Sequence, residues 1–170
     1  MKYSSCYWNA STPNLSAAEN LALEKTCAHA ELENGMKILE LGCGWGSLTM
    51  FMAAKFPDAQ ITGVSNSATQ KQYIDKTCAE RGLKNVRIIT ADMNVFFLDE
   101  QFDRVVSVEM FEHMRNYELL MEKIARMLTS EGKLFVHIFT HQSFTYYFDV
   151  IDESDWMSKY FFTGGIMPSD

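Results

Sequence analysis

A short apolar run that ends on an acid and breaks at once into three spaced glycines constrains this chain more than any other feature. Lys37-Ile-Leu-Glu-Leu-Gly-Cys-Gly-Trp-Gly-Ser-Leu48 reads as a buried strand turning sharply into a helix. Gly42, Gly44 and Gly46 permit backbone angles that other residues resist, and they let the main chain pass close to a ligand. A helix starting near Ser47 points its first amide hydrogens into the same space. Such a turn belongs to an open α/β sheet, where ligands bind beyond the C-terminal ends of the strands. Gly-x-Gly-x-Gly by itself leaves the identity of the ligand open.

The rest of the chain supplies the alternation such a sheet needs. A helical rhythm runs over residues 15–32 and stops at Asn34-Gly35. Strands are expected over 36–41, 59–64, 86–90, 102–108 and 133–139, with helices over 47–55, 68–81 and 117–128. Gly82 ends the second of these helices, and Ser130-Glu131-Gly132 is expected to end the third. The strand cores are near-continuous apolar runs, as in parallel strands buried on both faces. The expected fold class is α/β: a Rossmann-like, mostly parallel sheet of five strands with helices on both faces. Beyond Phe139 the pattern fades into aromatic and acidic clusters, and no further strand is expected there. Tyr3, Tyr7 and Trp8 are costly to leave wet, so the N-terminal arm is expected to fold against the domain.

A chain of 170 residues fits one domain. Its net charge is −7 and it has no dense Lys/Arg cluster, which argues against a nucleic-acid backbone as partner. Cys6, Cys27, Cys43 and Cys78 form no pairing or metal pattern, so free thiols in a reducing compartment are expected. No apolar leader segment opens the chain, and cytoplasm is the expected location. No apolar run is long enough for stable membrane insertion. His113, His137 and His141 lack a compact ligand spacing, so no metal is expected. An exposed fifth strand would leave an edge open to dimerisation, and with it a homo-oligomer.

The polar residues at the strand ends narrow the ligand. A dinucleotide fold wants an acid at the end of the second strand, and Gly63-Val-Ser-Asn-Ser67 has none. A phosphate-binding loop of the Gly-Lys-Ser/Thr type is also missing. Glu40 would repel a pyrophosphate but suits a ligand with an ammonium or sulfonium charge. Asp92, after the third strand, can accept a hydrogen bond from an amino group such as that of adenine, and Met93 can pack on a ring.

Four segments then act together: Glu40-Leu-Gly-Cys-Gly-Trp-Gly46, Gly63-Val-Ser-Asn-Ser-Ala-Thr-Gln70, Ala91-Asp92-Met93 and Phe102-Asp-Arg-Val-Val-Ser-Val-Glu-Met-Phe-Glu-His113. Together they resemble class I S-adenosylmethionine-dependent methyltransferases of the cyclopropane fatty acid synthase-like superfamily. The nearest likeness is to the coclaurine N-methyltransferase-like group. The opening Lys2-Tyr-Ser-Ser-Cys-Tyr-Trp8 also resembles the superfamily's segment before the core. The resemblance implies S-adenosylmethionine as cofactor. It puts Gly42 and Gly44 under the methionine part with Glu40 near the amino end, and counts Gly46 among the cofactor-binding residues. Ser65, Asn66 and Gln70 fall beside ribose and adenine, Asp92 and Met93 on the adenine side, and Tyr3 and Ser4 on a closing arm. It further implies an arm and helix over 1–35, a cofactor-binding core over 36–140 and the start of a substrate-covering region over 141–170. Related enzymes continue for two more strands, so a partial chain is expected.

Glu109, Glu112 and His113 crowd the active edge of the sheet and can accept a proton from an amine or hold a cation. In the N-methyltransferase-like group both glutamates and the histidine are understood to bind and deprotonate a substrate amine. In cyclopropane synthases the residue matching Glu109 is normally glycine. There the residues matching Glu112 and His137 hold a bicarbonate. The chain keeps His137 but has Glu109, which would place a second negative charge near that anion. Glu109, Glu112, His113 and His137 are therefore the expected catalytic set, for methyl transfer to the nitrogen of a small amine. The alternatives are methylene transfer to an unsaturated lipid acyl chain, or a cofactor-binding fragment without full activity. The aromatics after Phe139 read two ways, as a wall around a flat or cationic substrate or as a small satellite core.

Overall fold

Consecutive residues of a strand face opposite sides of its sheet, and in this chain both sides are apolar. In the computed structural model, which describes residues 4–170, α1 (Leu15–His29) precedes β1 (Lys37–Leu41), α2 (Ser47–Lys55), β2 (Gln60–Ser65) and α3 (Ala68–Arg81). Then come β3 (Val86–Thr90), β4 (Phe102–Val108), a 3₁₀ turn (Phe111–His113), α4 (Tyr117–Met127) and β5 (Leu128–His137). The five strands are parallel, in the order β3-β2-β1-β4-β5. Ile38 and Val106 pack with Leu23, Leu48 and Met52, under α1 and α2. Their neighbours Leu39, Leu41 and Val105 face the other way, onto Leu120, Ile124 and Met127 of α4. Each such fully buried side chain contributes about 2 kcal/mol of transfer free energy.

The chain runs outward from β1 through β2 to β3, then returns to the far side of β1 as β4. Strand order reverses between β1 and β4, which opens a crevice at their C-terminal ends. Asn14 caps α1 and Ser67 caps α3, each accepting from a first-turn amide. The four cysteines are free thiols, three of them buried.

The structure departs from the sequence-based expectations in four places. The first helix ends at His29, because Glu31 turns to a φ of 51° and Arg104 Nε donates to the Ala30 carbonyl at 3.1 Å. The fifth strand begins at Leu128, directly from the helix. Ser130-Glu131-Gly132 is an irregularity inside that strand, lying between the pairs Phe102–Leu128 and Arg104–Lys133. Beyond Phe139 the chain is ordered: β6 (Tyr146–Tyr147) pairs antiparallel with β7 (Ile166–Met167), with α5 (Trp156–Tyr160) between them. The two strands are too short to show a period of two. Finally, Trp8 stays exposed and Tyr7 is largely so, its ring under Lys25 Nζ at 5.2 Å. No helix among the described residues is long and apolar enough to cross a membrane.

Candidate active site

The crevice is a cavity of about 970 Å³ bounded by the C-terminal ends of all five strands. Its roof is Ser4, Ser5 and Tyr7 of the arm, with Leu23 and Thr26 of α1 behind them. Gly42 turns at a φ of 80°, and a Cβ there would lie 2.7 Å from Met110 at the end of β4. Glycine is thus required twice over, for the angle and for the space.

Of the residues singled out in the sequence, Glu40, Gly42, Gly44, Ser65, Asn66 and Gln70 line this cavity. So do Asp92, Met93, Ser4, Glu109, His113 and His137. Tyr3 lies outside the described residues. Gly46 stands apart from the lining: a Cβ there would meet Ile74 of α3 at 2.7 Å, so this glycine lets two helices close on each other. Glu112 is also outside the lining and wholly buried behind it.

The half formed by β1 to β3 is held by short-range bonds. Thr49 Oγ1, one turn into α2, donates to Glu40 Oε2 at 2.5 Å. Burial pushes the Glu40 carboxyl up to about 7, and the threonine bond offsets part of that rise. Ser65 Oγ donates to Gln70 Oε1 at 2.5 Å and accepts from Ser67 N at 3.0 Å. This hydroxyl–amide pair occupies the place where an acid was sought at the end of the second strand. Asp92 Oδ1 accepts from the backbone and side-chain nitrogens of Asn94 at 2.8 and 2.9 Å. Lys123 of α4 donates to the Asn94 carbonyl and ties that loop to the next layer.

The half formed by β4 and β5 is different in kind. Glu109 sits in the left-handed region at a φ of 52°, which costs a non-glycine residue on the order of 1 kcal/mol. Its amide donates to the His137 carbonyl at 2.8 Å. Glu112 Oε1 accepts from Phe139 N at 3.1 Å, while Oε2 is buried with no hydrogen-bond partner among the described residues. Burial raises the Glu112 carboxyl above its ordinary range. Its own backbone and the Phe139 amide offset part of the rise, and the Glu109 charge adds to it. His113 is exposed on one side, and the groups packed on its other side hold it below the ordinary histidine range. Its ring stacks on Phe162, centroids 5.3 Å apart and planes 21° from parallel.

Several residues escaped the sequence reading. Trp45, inside the glycine motif, lines the cavity and packs edge-on against Tyr73 at 5.3 Å. Thr49 was invisible because a threonine in a helix carries no sign of its partner. Phe139 and Phe162 reach Glu112 and His113 from 27 and 49 residues downstream respectively, beyond any local pattern. No cluster of His, Cys, Asp and Glu among the described residues is arranged to hold a metal ion.

The family profile of mycolic acid cyclopropane synthetase matches residues 1–170. Among curated relatives, (S)-coclaurine N-methyltransferase of Thalictrum flavum subsp. glaucum is 40% identical over 167 residues, covering 98% of this chain and 46% of its own. The cyclopropane-fatty-acyl-phospholipid synthase of Escherichia coli strain K12 is 36% identical over 171 residues, covering 99% of this chain and 42% of its own. The solved structure of a coclaurine N-methyltransferase bound to N-methylheliamine and SAH superposes with a TM-score of 0.91 at 38% identity. It covers 99% of this chain and 50% of that one. The chain therefore spans less than half the length of these curated relatives.

Proposed function

The chain belongs to the mycolic acid cyclopropane synthetase family, and from that premise we propose that it transfers a methyl group from S-adenosylmethionine to the nitrogen of a small amine. One observation carries the reading: Glu40, Asp92 and Glu109 line the cavity, and no lysine or arginine among the described residues does. An anionic wall without a counter-cation fits a sulfonium donor and an amine acceptor and opposes a pyrophosphate. The nearly buried Glu40 carboxyl has a hydroxyl for company, which leaves a ligand cation as the natural counter-charge.

Gly42, Gly44 and Glu40 would hold the methionine part of the donor, Ser65, Asn66 and Gln70 the ribose, and Asp92 with Met93 the adenine. Bound there, S-adenosylmethionine supplies an electrophilic methyl group on a sulfonium. An amine reacts through its lone pair, so a protonated amine must lose its proton first. His113 lines the cavity, and its imidazole is the group placed there to take that proton. Glu109 faces the same space and stabilises the cationic amine on arrival. Proximity supplies most of the remaining acceleration, since two bound reactants need no covalent intermediate.

Methylene transfer to a lipid acyl chain is the second reading, and the Escherichia coli relative with His137 in the cavity lining favours it. Glu109 speaks against it, because a second acid beside a bound anion is unfavourable. Incubation with S-adenosylmethionine and either tetrahydroisoquinoline or unsaturated phospholipid vesicles separates the two. The proposal predicts a singly methylated amine; a methylated or cyclopropanated acyl chain with unreacted amine would overturn it.

A further inference from the structure

Two adjacent glycines near the end of the chain differ in what they are for. Gly164 has a φ of 77° and open space where a Cβ would go. Gly165 has no left-handed backbone, yet a Cβ there would lie 2.3 Å from the carbonyl oxygen of Glu112. The second glycine exists for contact: main chain rests on main chain, against the residue that carries the buried carboxylate. Three hydrogen bonds hold Gly165 there. Its amide donates to the Phe162 carbonyl at 2.8 Å, and its own carbonyl accepts from Phe148 N at 3.2 Å and Arg115 Nε at 3.3 Å. Arg115 also pairs with Asp149 at 3.2 Å and lies over the Tyr147 ring at 4.4 Å.

The same segment grips the buried Glu112 and its neighbour His113, which lines the cavity. Phe162 stacks on His113 and is itself wedged between Phe148, at 4.9 Å, and Phe139, at 5.4 Å. The Phe139 amide holds Glu112 Oε1. We propose that residues 139–165 form a positioning strap for the Glu112–His113 pair, with Gly165 seating the backbone of Glu112 and Phe162 setting the plane of the His113 ring. Neither strap residue acts on a substrate atom in this role. The 3₁₀ turn is three residues long and cannot hold its side chains alone; the strap supplies the missing wall. The inference rests on the amine-methylation reading for its consequence in catalysis, but not for the positioning itself.

A methyl group at Gly165 cannot be accommodated without moving one backbone off the other, and that draws Phe162 off the one ring face of the otherwise exposed His113 that it covers. The test is an NMR titration of the His113 ring in the full chain, with S-adenosylmethionine affinity and tetrahydroisoquinoline turnover measured alongside. Gly165→Ala and Phe162→Ala should each move the His113 midpoint up towards the ordinary histidine value. Donor affinity should stay within about twofold, and kcat should fall on the order of 100-fold, the cost of a misplacement near 1 Å. Phe162→Tyr, which keeps the stack, should restore the wild-type midpoint. Gly164→Ala, strained but unobstructed, should leave the midpoint alone. A midpoint that stays put in both Gly165→Ala and Phe162→Ala overturns the strap. A midpoint that moves in a wild-type background that methylates no amine leaves the strap standing and overturns the amine reading.

Discussion

The two halves of the cavity are built by opposite means. Around β1, β2 and β3, each polar group is held by a neighbour close in the chain: Glu40 by Thr49, Ser65 by Gln70, Asp92 by Asn94. Around β4 and β5, Glu112 and His113 are held from Phe139, Phe162 and Gly165. Each of these bonds in the first half spans nine residues or fewer. The second half requires a distant segment to return and pack. A local site tolerates little variation and recurs as a motif, whereas a site closed by a remote segment can change its acceptor by changing the cover.

The largest effect that can break this comparison is on the local half. Gly42→Val combines a β-branched side chain at positive φ with a 2.7 Å clash against Met110. It should abolish donor binding by calorimetry and cost about 3 kcal/mol in denaturant unfolding. Retained donor affinity would mean that the glycine turn is not what holds the donor. Glu112→Gln probes the other half. Glu112 lies behind the lining and acts through the turn that carries His113, so the change should lower kcat on the order of 100-fold while leaving donor affinity unchanged. An equal loss of both would erase the division between the halves.

That division also explains what could be read from residues alone. Helices over Ser47–Lys55 and Ala68–Arg81 and strands over Val86–Thr90 and Phe102–Val108 have the bounds their patterns imply. Each is ended by a local signal, such as Gly82 in the left-handed region. The cavity lining around Glu40, Ser65 and Asp92 was legible because the fold rule puts strand ends at the ligand. Glu112 was found as a residue, but not its placement behind the lining, since that depends on Phe139. The strap was illegible: two-residue strands have no period, and nothing in Thr-Gly-Gly-Ile says which glycine meets another backbone. Ser130-Glu131-Gly132 carried a sound turn signal that the pairing of β5 with β4 overrode.

A smaller effect sharpens the comparison through pH. Glu40 binds its proton more tightly folded, up to about 7, than at its ordinary value of 4.5. Between these values the folded chain keeps a proton that the unfolded chain has lost. The Glu40 contribution to stability is therefore full below pH 4.5 and is lost as pH rises through about 7, a change of up to about 3 kcal/mol. Glu40→Gln should reduce that slope in denaturant unfolding across the window, leaving the share of Glu112, whose carboxyl burial also raises. An unchanged slope would place the titrating group elsewhere. S-adenosylmethionine should oppose the trend, because a cation beside Glu40 favours the charged carboxylate.

The smallest effect is Thr49→Val, which removes one buried hydrogen bond. It should cost about 1 kcal/mol and weaken donor binding at neutral pH, with kcat at saturating donor unchanged. A change in kcat with no change in affinity would show the two halves to be coupled through α2.

The central claim is that an acidic cavity, lined by no lysine or arginine among the described residues, brings a methyl donor and an amine together. Its most direct test is mass spectrometry of tetrahydroisoquinoline incubated with the chain and S-adenosylmethionine carrying a deuterated methyl group. The account predicts one labelled methyl on the ring nitrogen, formed far more slowly by Glu112→Gln. Tight donor binding with no label on the amine, or label on an added phospholipid instead, would contradict it.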